Sequence, residues 1–374
     1  MDANHRQRIL ITADTMGGVW TYAVELSIAL ARRGMTVALA TMGGPVSAAQ
    51  RAQLAGIRAV ELYESSFKLE WMQDAWDDVA RAGDWLLQIE RDFQPDVVHL
   101  NQFAFGSLPF SAPTLLVAHS CVLSWWQAVR GEAAPPPQWD KYRRKVARGL
   151  EAATLVAAPT RAMLQTLVRN YGYTHAALVL RNGRNPALFR PGAKRGCILA
   201  AGRLWDEGKN LGTLQAVAAH LPWPVHLAGS IAHPDGGSTP TFSVCCLGEL
   251  TTEELARHLS AAAIYALPAR YEPFGLSVLE AALSACALVL GDIPSLREIW
   301  GPAALYVAPD DHAGLETALR RLINDPLDRM RRGEAALARA LQFTPERMAE
   351  SYVAAYAMLN PVFASQPLKE LQCA

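Results

Sequence analysis

The feature that most constrains this chain is an alternation of short strand-like runs with longer amphipathic segments. Residues 9–12 have the pattern of a strand, and residues 20–33 place apolar side chains at helical spacing before Gly34. Further strands are predicted at residues 36–41, 96–100, 114–118, 155–158 and 177–180. Alternation of this kind predicts a parallel sheet that is covered by helices on both faces.

The alternation stops once and then starts again. Residues 182–192 are rich in turn formers, because they contain Asn-Gly, two prolines and a second glycine. After them come predicted strands at 197–201, 225–228, 244–247, 264–267, 287–290 and 304–307, helices at 210–220, 252–262, 276–285 and 313–323, and a last amphipathic helix at 345–359. We therefore predict two α/β domains that meet near residues 183–192. Ligands of open α/β sheets bind beyond the carboxyl ends of the strands, so the cleft between the domains is the expected site.

The composition agrees with two globular domains. The chain has 374 residues, of which 51% are hydrophobic and 19% charged, and this excludes the disordered class. Lys plus Arg equals Asp plus Glu at 35 each, so the chain lacks the basic field that nucleic-acid binding requires. We expect no nucleic-acid partner.

The cysteines and the N-terminus indicate a compartment. None of the six cysteines forms a C-x-x-C pair; they are Cys121, Cys197, Cys245, Cys246, Cys286 and Cys373. Most of them lie in apolar stretches, where buried free thiols are common, and a reducing cytoplasm follows from this interpretation. The charged N-terminus does not resemble a signal peptide, and no run approaches the roughly 18 apolar residues of a membrane span. We expect a cytoplasmic protein, either soluble or attached to a membrane surface.

A glycine pair follows the first predicted strand and opens the first helix. At Gly17 and Gly18 the backbone can approach a ligand closely, and the helix N-terminus favours an anion. A phosphate or an acceptor hydroxyl fits this position, although a tight strand-to-helix turn needs glycine in any case. The dinucleotide fingerprint and the P-loop motif are absent from the sequence, which argues against NAD and ATP enzymes of those types.

Two cations follow the first strand of the second predicted domain. Arg203, after Gly202, and Lys209 lie on the loop at the carboxyl end of that strand. Arg binds phosphate oxygens through two parallel hydrogen bonds, and Lys acts as a compact charge, so the pair suits a diphosphate. A solvated loop with surface charges is the alternative interpretation.

The most informative motif has two glutamates with seven residues between them. Glu272 lies in the loop before a predicted helix, and Glu280 is expected about two turns into it, near the apolar face. The helix start at residues 274–277 offers free N–H groups to an anion. The carboxylates suit sugar or ribose hydroxyls, or an oxocarbenium-like centre. The alternative is a salt-bridged structural glutamate.

Taken together, these motifs resemble the retaining glycosyltransferases of the GT-B fold, family 4 (glycosyltransferase group 1). The order and spacing agree over nearly the whole chain, so the set is specific although single motifs are not. The matching residues are Gly17 and Gly18; His119 in Val-Ala-His-Ser; Asn182, Gly183, Phe189 and Pro191 in the linker; Gly202, Arg203 and Lys209; and Glu272 and Glu280. Against this family pattern, Ala285-Cys286-Ala287 stands where a small-x-Gly step is common.

The resemblance implies a domain plan. An acceptor-side Rossmann-like domain is expected at residues 1–187 and a nucleotide-sugar-binding Rossmann-like domain at 188–344. A C-terminal helix within 345–374 is expected to return to the first domain. The implied activity is transfer of a sugar from a nucleotide-sugar to an acceptor, with retention of configuration (EC 2.4).

The resemblance also implies roles for residues. Arg203 and Lys209 would bind the donor diphosphate and stabilise the leaving group. Glu272 would contact the donor sugar near the reacting carbon, and Glu280 would hold the ribose hydroxyls. His119 would lie near the transferred sugar, although a histidine at the end of an apolar strand is often only a core residue. The remaining donor contacts would come from Gly17, Gly18, Leu247, Gly248, Phe274, Gly275, Leu276 and Ser277.

The sequence indicates less about cofactors, substrates and partners than about the site residues. The sequence contains no Asp-x-Asp motif, so we expect no divalent metal and no other cofactor. A UDP-sugar is favoured over GDP-mannose, and a glycan, a lipid-linked acceptor or a small molecule all remain open. The basic run at residues 141–148 fits either an anionic lipid surface or a solvated helix face. The pair Trp125-Trp126 fits either sugar stacking or packing between domains.

Two other functions use the same features. A sugar-nucleotide epimerase on this fold shares the cleft, and a phosphorylase would need a far longer chain. An inactive scaffold that binds a nucleotide-sugar is the alternative from a different class. The presence together of Arg203, Lys209, Glu272, Glu280 and His119 argues against such a loss of activity.

Overall fold

The computed structural model describes residues 6–236, 241 and 243–365. Cys373 and the last residues of the predicted 345–374 segment lie outside this range. The described cysteines are free, and Cys245 and Cys246 are exposed. The expectation of buried thiols is wrong for these two because they lie on a strand at the edge of its sheet.

The first half of the chain forms a seven-stranded parallel sheet with strand order β3-β2-β1-β4-β5-β6-β7. Its strands are β1 Arg8–Asp14, β2 Thr36–Met42, β3 Val60–Glu64, β4 Val97–Leu100, β5 Thr114–Val117, β6 Leu155–Ala158 and β7 Ala177–Val179. The central strands are almost continuously apolar because helices cover both faces. Strand β3 was not predicted, since its polar residues face solvent at the sheet edge.

Six helices and one short 3-10 helix connect these strands. They are α1 Gly18–Arg32, α2 Ala48–Leu54, α3 Trp76–Phe93, α4 Val122–Arg130, α5 Asp140–Ala152, α6 Arg161–Tyr171 and the 3-10 helix Phe103–Ser107. Local chemistry fixes several of the helix starts. The hydroxyls of Ser47 and Thr160 accept hydrogen bonds from the N–H groups of Gln50 and Met163.

The second half forms a six-stranded parallel sheet with strand order β10-β9-β8-β11-β12-β13. Its strands are β8 Arg195–Ala201, β9 Val225–Ala228, β10 Cys245–Gly248, β11 Ala262–Leu267, β12 Ala287–Gly291 and β13 Ala304–Val307. Its helices are α7 Leu211–Ala218, α8 Thr252–Ala261, α9 Leu276–Leu283, α10 Pro294–Trp300, α11 His312–Asn324 and α12 Pro326–Ala340, with 3-10 helices at Glu207–Lys209 and Gly301–Ala303. The predicted fold, two Rossmann-like α/β domains, is therefore confirmed.

The last helix, α13 Pro345–Leu359, packs against the first sheet and not the second. Its buried Met348, Tyr352 and Tyr356 join the apolar cluster that α1 and β1 form. Thr344 caps the start of α13 through its hydroxyl, and a 3-10 helix at Pro361–Ser365 follows. The chain thus crosses from the second sheet back to the first. The exact domain boundaries remain a prediction.

Candidate functional site

Both sheets point the carboxyl ends of their strands into one cleft of about 870 Å³. The loops after β1 and β5 line it from the first domain. The loops after β8 and β11 line it from the second domain. This is the position at which open α/β sheets bind ligands. Of the residues predicted for the site, all but Leu247 and Gly248 line this cleft.

Lys209 and Glu272 form an ion pair deep in the cleft. The Nζ atom of Lys209 lies 2.5 Å from the Oε2 atom of Glu272, and both side chains are nearly buried. Lys209 ends the 3-10 helix after β8, and Glu272 lies in the loop after β11, so two neighbouring strands bring the two residues together. The pair places a cation and a carboxylate side by side, where a phosphate and a sugar hydroxyl can lie next to each other.

Arg203 is partly exposed in the cleft and is held by its own loop. Its Nη2 atom donates to the Oδ2 atom of Asp206 at 2.7 Å, and its guanidinium lies over the ring of Trp205. Burial alone would raise the pKa of Asp206, but the charges of Arg203 and Lys209 hold it below its ordinary value. Asp206 is therefore an ionised anchor for the two cations.

The glycine loop lies directly opposite Arg203 and the start of α9. Gly17 has φ +75°, in the left-handed region that favours glycine, and a Cβ there would lie 3.7 Å from the side chain of Arg203. A Cβ at Gly18 would lie 3.5 Å from the side chain of Leu276. At these two positions the first domain therefore approaches Arg203 and Leu276 of the second domain with backbone that carries no side chain.

Helix α9 directs its N-terminus into the cleft. Gly275, at φ +90°, makes the sharp turn before it, and Phe274 is buried in the core below. The hydroxyl of Tyr265 donates to Ser277 Oγ at 2.8 Å, which fixes the first turn. The first N–H groups of a helix and its dipole favour an anion, as predicted for Phe274 to Ser277.

Glu280 is the fifth residue of α9, so it lies little more than one turn into the helix rather than two. It lines the cleft and accepts a hydrogen bond from Arg184 Nε at 2.7 Å through Oε1. Arg184 also donates from Nη1 to Glu25 Oε1, on α1, at 2.6 Å. All three side chains are buried. The predicted ribose-binding carboxylate is therefore also part of an ion-pair cluster that joins the two domains.

His119 follows β5 and lines the cleft from the first domain. Asn101 donates from Nδ2 to the carbonyl of Thr12, so its Oδ1 accepts from His119 Nε2 at 2.9 Å. The ring of Tyr22 packs 4.4 Å from the imidazole. Burial lowers the pKa of His119 to about 3, so the ring is neutral at physiological pH. Its Nδ1 atom keeps a lone pair that can accept a hydrogen bond from a hydroxyl.

Leu247 and Gly248 lie at the end of β10, outside the cleft lining among the described residues. The carbonyl of Gly248 accepts from the N–H of Gly229 at 2.8 Å. The next residues, Glu249 and Leu250, do line the cleft. The base contact expected at Leu247 and Gly248 stays a prediction.

Several cleft residues were missed from the sequence. Asp14, at the end of β1, accepts from the N–H of Met16, and burial raises its pKa to about 7 although Arg203 opposes the rise. Glu70 accepts from the N–H groups of Phe103 and Ala104, and burial raises its pKa to about 7. An acidic residue at the carboxyl end of the first strand was the available signal for Asp14.

The predicted basic run, residues 141–148, lies on α5. Its Lys141, Arg144 and Arg148 are exposed, and Tyr142 and Val146 on the same helix are buried. Within residues 6–236, 241 and 243–365, no helix combines the length and apolar character needed to cross a membrane. In the same described part, no three His, Cys, Asp or Glu side chains are arranged to hold a metal ion.

The chain is similar to known proteins in part of its sequence and in its fold. The 42% identity to the glycogen synthase of Mycobacterium tuberculosis extends over 95 residues, which is 25% of this chain and only 23% of that enzyme. A sucrose-phosphate synthase from Thermosynechococcus elongatus superposes with a TM-score of 0.78 at 20% identity, over 96% of this chain and 100% of that chain. Anabaena HepE in complex with UDP and glucose superposes with a TM-score of 0.72 at 16% identity, over 95% and 100%.

Two family descriptions match the sequence. Residues 16–188 match Glycosyltransferase Family 4, and residues 195–325 match Glycosyl transferases group 1. The first match covers most of the first sheet and its helices, and the second covers the second sheet with Arg203, Lys209 and both glutamates. Because the two matches together span most of the chain, the protein belongs to the family 4, group 1 glycosyltransferases of the GT-B fold.

Proposed function

We propose that this protein transfers a sugar from a nucleoside-diphosphate sugar, with a UDP-sugar favoured, to a hydroxyl of an acceptor, with retention and without a divalent metal. The observation that carries the proposal is the convergence of Arg203, Lys209 and the N-terminus of α9 opposite Gly17 and Gly18. Three sources of positive potential on one side of a cleft suit a diphosphate.

In the proposed reaction, the acceptor oxygen attacks the anomeric carbon from the same face as the leaving diphosphate. The bond between that carbon and the diphosphate oxygen breaks, and the acceptor proton passes to the leaving phosphate. Arg203 and Lys209 stabilise the charge that develops on the leaving group. Glu272, held by Lys209, accepts a sugar hydroxyl near the reacting carbon, and neutral His119 accepts another from the first domain.

The donor and acceptor are proposed from separate features. Complexes of Anabaena HepE with UDP and with UDP-glucose support a UDP-sugar. Glu280 keeps its Oε2 atom for ribose hydroxyls while Oε1 accepts from Arg184. The acceptor hydroxyl lies on the side of Asp14, Gly17 and His119. It belongs to a glycan, to a lipid-linked acceptor that docks α5 on a membrane surface, or to a small molecule.

A thermal-shift screen tests the donor site. UDP, GDP, ADP and their common sugar conjugates are added to wild type and to Arg203→Ala. A ligand at 100 times its dissociation constant stabilises the fold by about 2.7 kcal/mol, a readily measured rise in melting temperature. One nucleotide should raise the melting temperature of the wild type and not of Arg203→Ala. A shift that survives in Arg203→Ala would contradict the site.

Turnover separates transfer from the alternatives. Release of nucleoside diphosphate should depend on an acceptor and should persist in EDTA, and the product should keep the anomeric configuration of the donor. Loss of activity in EDTA with recovery on adding Mg²⁺ would refute metal independence. Conversion of the donor into an epimeric nucleotide-sugar would favour an epimerase. Binding without turnover against any acceptor would favour an inactive scaffold.

A further inference from the structure

Helix α4 lines the cleft from the first domain and contacts the loops after β8 and β11 of the second domain. The N–H of Cys121, at its cap, donates to the Tyr271 hydroxyl at 3.0 Å. One turn later, the Nε1 atom of Trp125 donates to Asp206 Oδ1 at 2.9 Å. The first residue of each pair belongs to the first sheet's domain and the second to the other, so both bonds require the cleft to be closed to this extent.

Asp206 connects Trp125 to Arg203. Its carboxylate accepts from Trp125 and from the N–H of Gly208 on Oδ1, and from Arg203 on Oδ2. The side chain is buried, so its orientation depends on these donors and not on water. Arg203 itself is more than a third exposed, and Asp206 is the carboxylate with which it forms an ion pair in the described part of the chain. The Arg203 guanidinium is therefore held by the Asp206 carboxylate and by the ring of Trp205.

Gly208, which directly precedes Lys209, leaves room for the close approach of the Trp125 indole. A Cβ at Gly208 would lie 3.1 Å from Trp125 Nε1 and 3.0 Å from Asp206 Oδ1, closer than side-chain atoms normally come. The backbone at Gly208 has no positive φ, so glycine is not required there by conformation. Close contact with Trp125 and Asp206 is the physical reason that glycine fits at this position.

We propose that Trp125 is a positioning residue that acts through Asp206 to hold Arg203 in place for the donor diphosphate when the cleft closes. The inference rests on the proposed function, in which Arg203 binds that diphosphate. Closure brings the indole N–H to Asp206, and the carboxylate is then fixed with its other oxygen on Arg203. Opening removes one donor from Asp206 and leaves Arg203 less ordered. Within the Trp125-Trp126 pair, this positioning role belongs to Trp125, whose indole N–H makes the hydrogen bond to Asp206.

The test is a double-mutant cycle on nucleotide affinity, with calorimetry of UDP, GDP and ADP binding. Trp125→Phe keeps an aromatic ring but removes the N–H group, and Asp206→Asn weakens the anchor. We expect each to weaken binding about ten-fold, the size of a hydrogen bond to a charged group. The double variant should bind no more weakly than Asp206→Asn alone, because Trp125 acts through that carboxylate.

The neighbouring residue offers a matched control. Trp126 packs edge-on against Trp125 with ring centroids 6.0 Å apart, and Trp126→Phe should leave nucleotide affinity within about two-fold. Gly208→Ala, which pushes the indole away without altering Trp125, should weaken binding as Trp125→Phe does. Melting temperatures of all variants without nucleotide establish that each is folded.

Three results would overturn the proposal: full nucleotide affinity in Trp125→Phe, equal losses in Trp125→Phe and Trp126→Phe, or additive losses in the double variant. Each of these leaves the nucleotide site of the proposed function intact. Wild-type protein that binds none of the three nucleoside diphosphates would instead overturn the proposed function, and this inference with it.

Discussion

At the scale of single residues, the titration of Asp14 should make the stability of the protein depend on pH. Its pKa is about 7 in the fold, because burial disfavours the charged form, and near 4 in the unfolded chain. Between these values the folded state binds more protons than the unfolded state. The contribution of Asp14 to stability is therefore present at low pH and is lost as the pH rises from about 4 to about 7.

Asp14→Asn removes this titration. We expect its melting temperature to fall less than that of the wild type between pH 5 and pH 8. Asp84→Asn, at an exposed position of α3, should keep the pH dependence of the wild type. An Asp14→Asn curve parallel to that of the wild type would show that Asp14 does not titrate in the folded protein between pH 5 and pH 8.

The Lys209–Glu272 pair gives a prediction that separates stability from catalysis. Removing one partner of a buried ion pair leaves an uncompensated charge. Because both residues also contact the reacting groups in the proposed reaction, Lys209→Met and Glu272→Gln should each lose activity at least 100-fold. Lys209→Met should also lose about 3 kcal/mol of stability, because it removes the cation that pairs with the nearly buried carboxyl group of Glu272. The double variant should regain much of that stability but no activity, as measured by urea unfolding and by nucleotide release. Activity that recovers with stability would assign the pair a structural role only.

The residues found from the sequence and those missed differ in a physical way. Arg203, Lys209, Glu272 and Glu280 lie in short motifs whose spacing carries the signal. Arg184 and Glu280 lie 96 positions apart in the sequence, and Trp125 and Asp206 lie 81 positions apart. Such contacts depend on how two domains pack, and no local pattern encodes that.

At the scale of elements, the apolar pattern of the sequence does not predict the end of helix α9 correctly. The apolar spacing predicts a helix to residue 285, but the helix ends at Leu283. Ala285 lies beyond the cap at φ +56°, in the left-handed region that L-residues other than glycine occupy at a cost. The departure from the family's small-x-Gly step therefore lies beside a strained helix end. Apolar periodicity alone does not mark this end, because Ala285 and Cys286 continue the apolar pattern.

Ala285→Gly should relieve this strain. We expect an increase of about 1 kcal/mol in the free energy of unfolding, since the left-handed conformation costs an L-residue roughly 1–2 kcal/mol and glycine loses some of that gain as entropy. Ala282→Gly, inside the same helix, should have the opposite sign and lose about 1 kcal/mol or more. Chemical unfolding of both variants at one pH measures the pair. A stabilised Ala282→Gly or a destabilised Ala285→Gly would contradict the assignment of strain.

At the scale of the whole molecule, the sequence predicts two parallel sheets, the cleft between them and the last helix. These follow from alternating patterns that need no knowledge of distant contacts. The relative position of the two domains was not predictable in this way. It depends on cross-domain contacts such as Arg181 with Glu298, Thr160 with the carbonyl of Pro273, and the Arg184 cluster. Among these, the Arg184 cluster has buried charges on both sides.

Arg184→Met tests how strongly that cluster joins the domains. The variant leaves Glu25 and Glu280 buried without their cation, and loss of one partner from a buried ion pair costs about 3–5 kcal/mol. We expect a lower urea midpoint and a larger radius of gyration in X-ray scattering. Adding Glu25→Gln should recover part of both losses, because one of the two unpaired carboxylates becomes neutral and the substitutions share a contact, so their effects do not add. Arg321→Met, which breaks an exposed pair with Asp328, should change neither measurement. An Arg184→Met protein as compact and as stable as the wild type would mean that apolar packing between the domains, and not this cluster, sets the closure of the cleft.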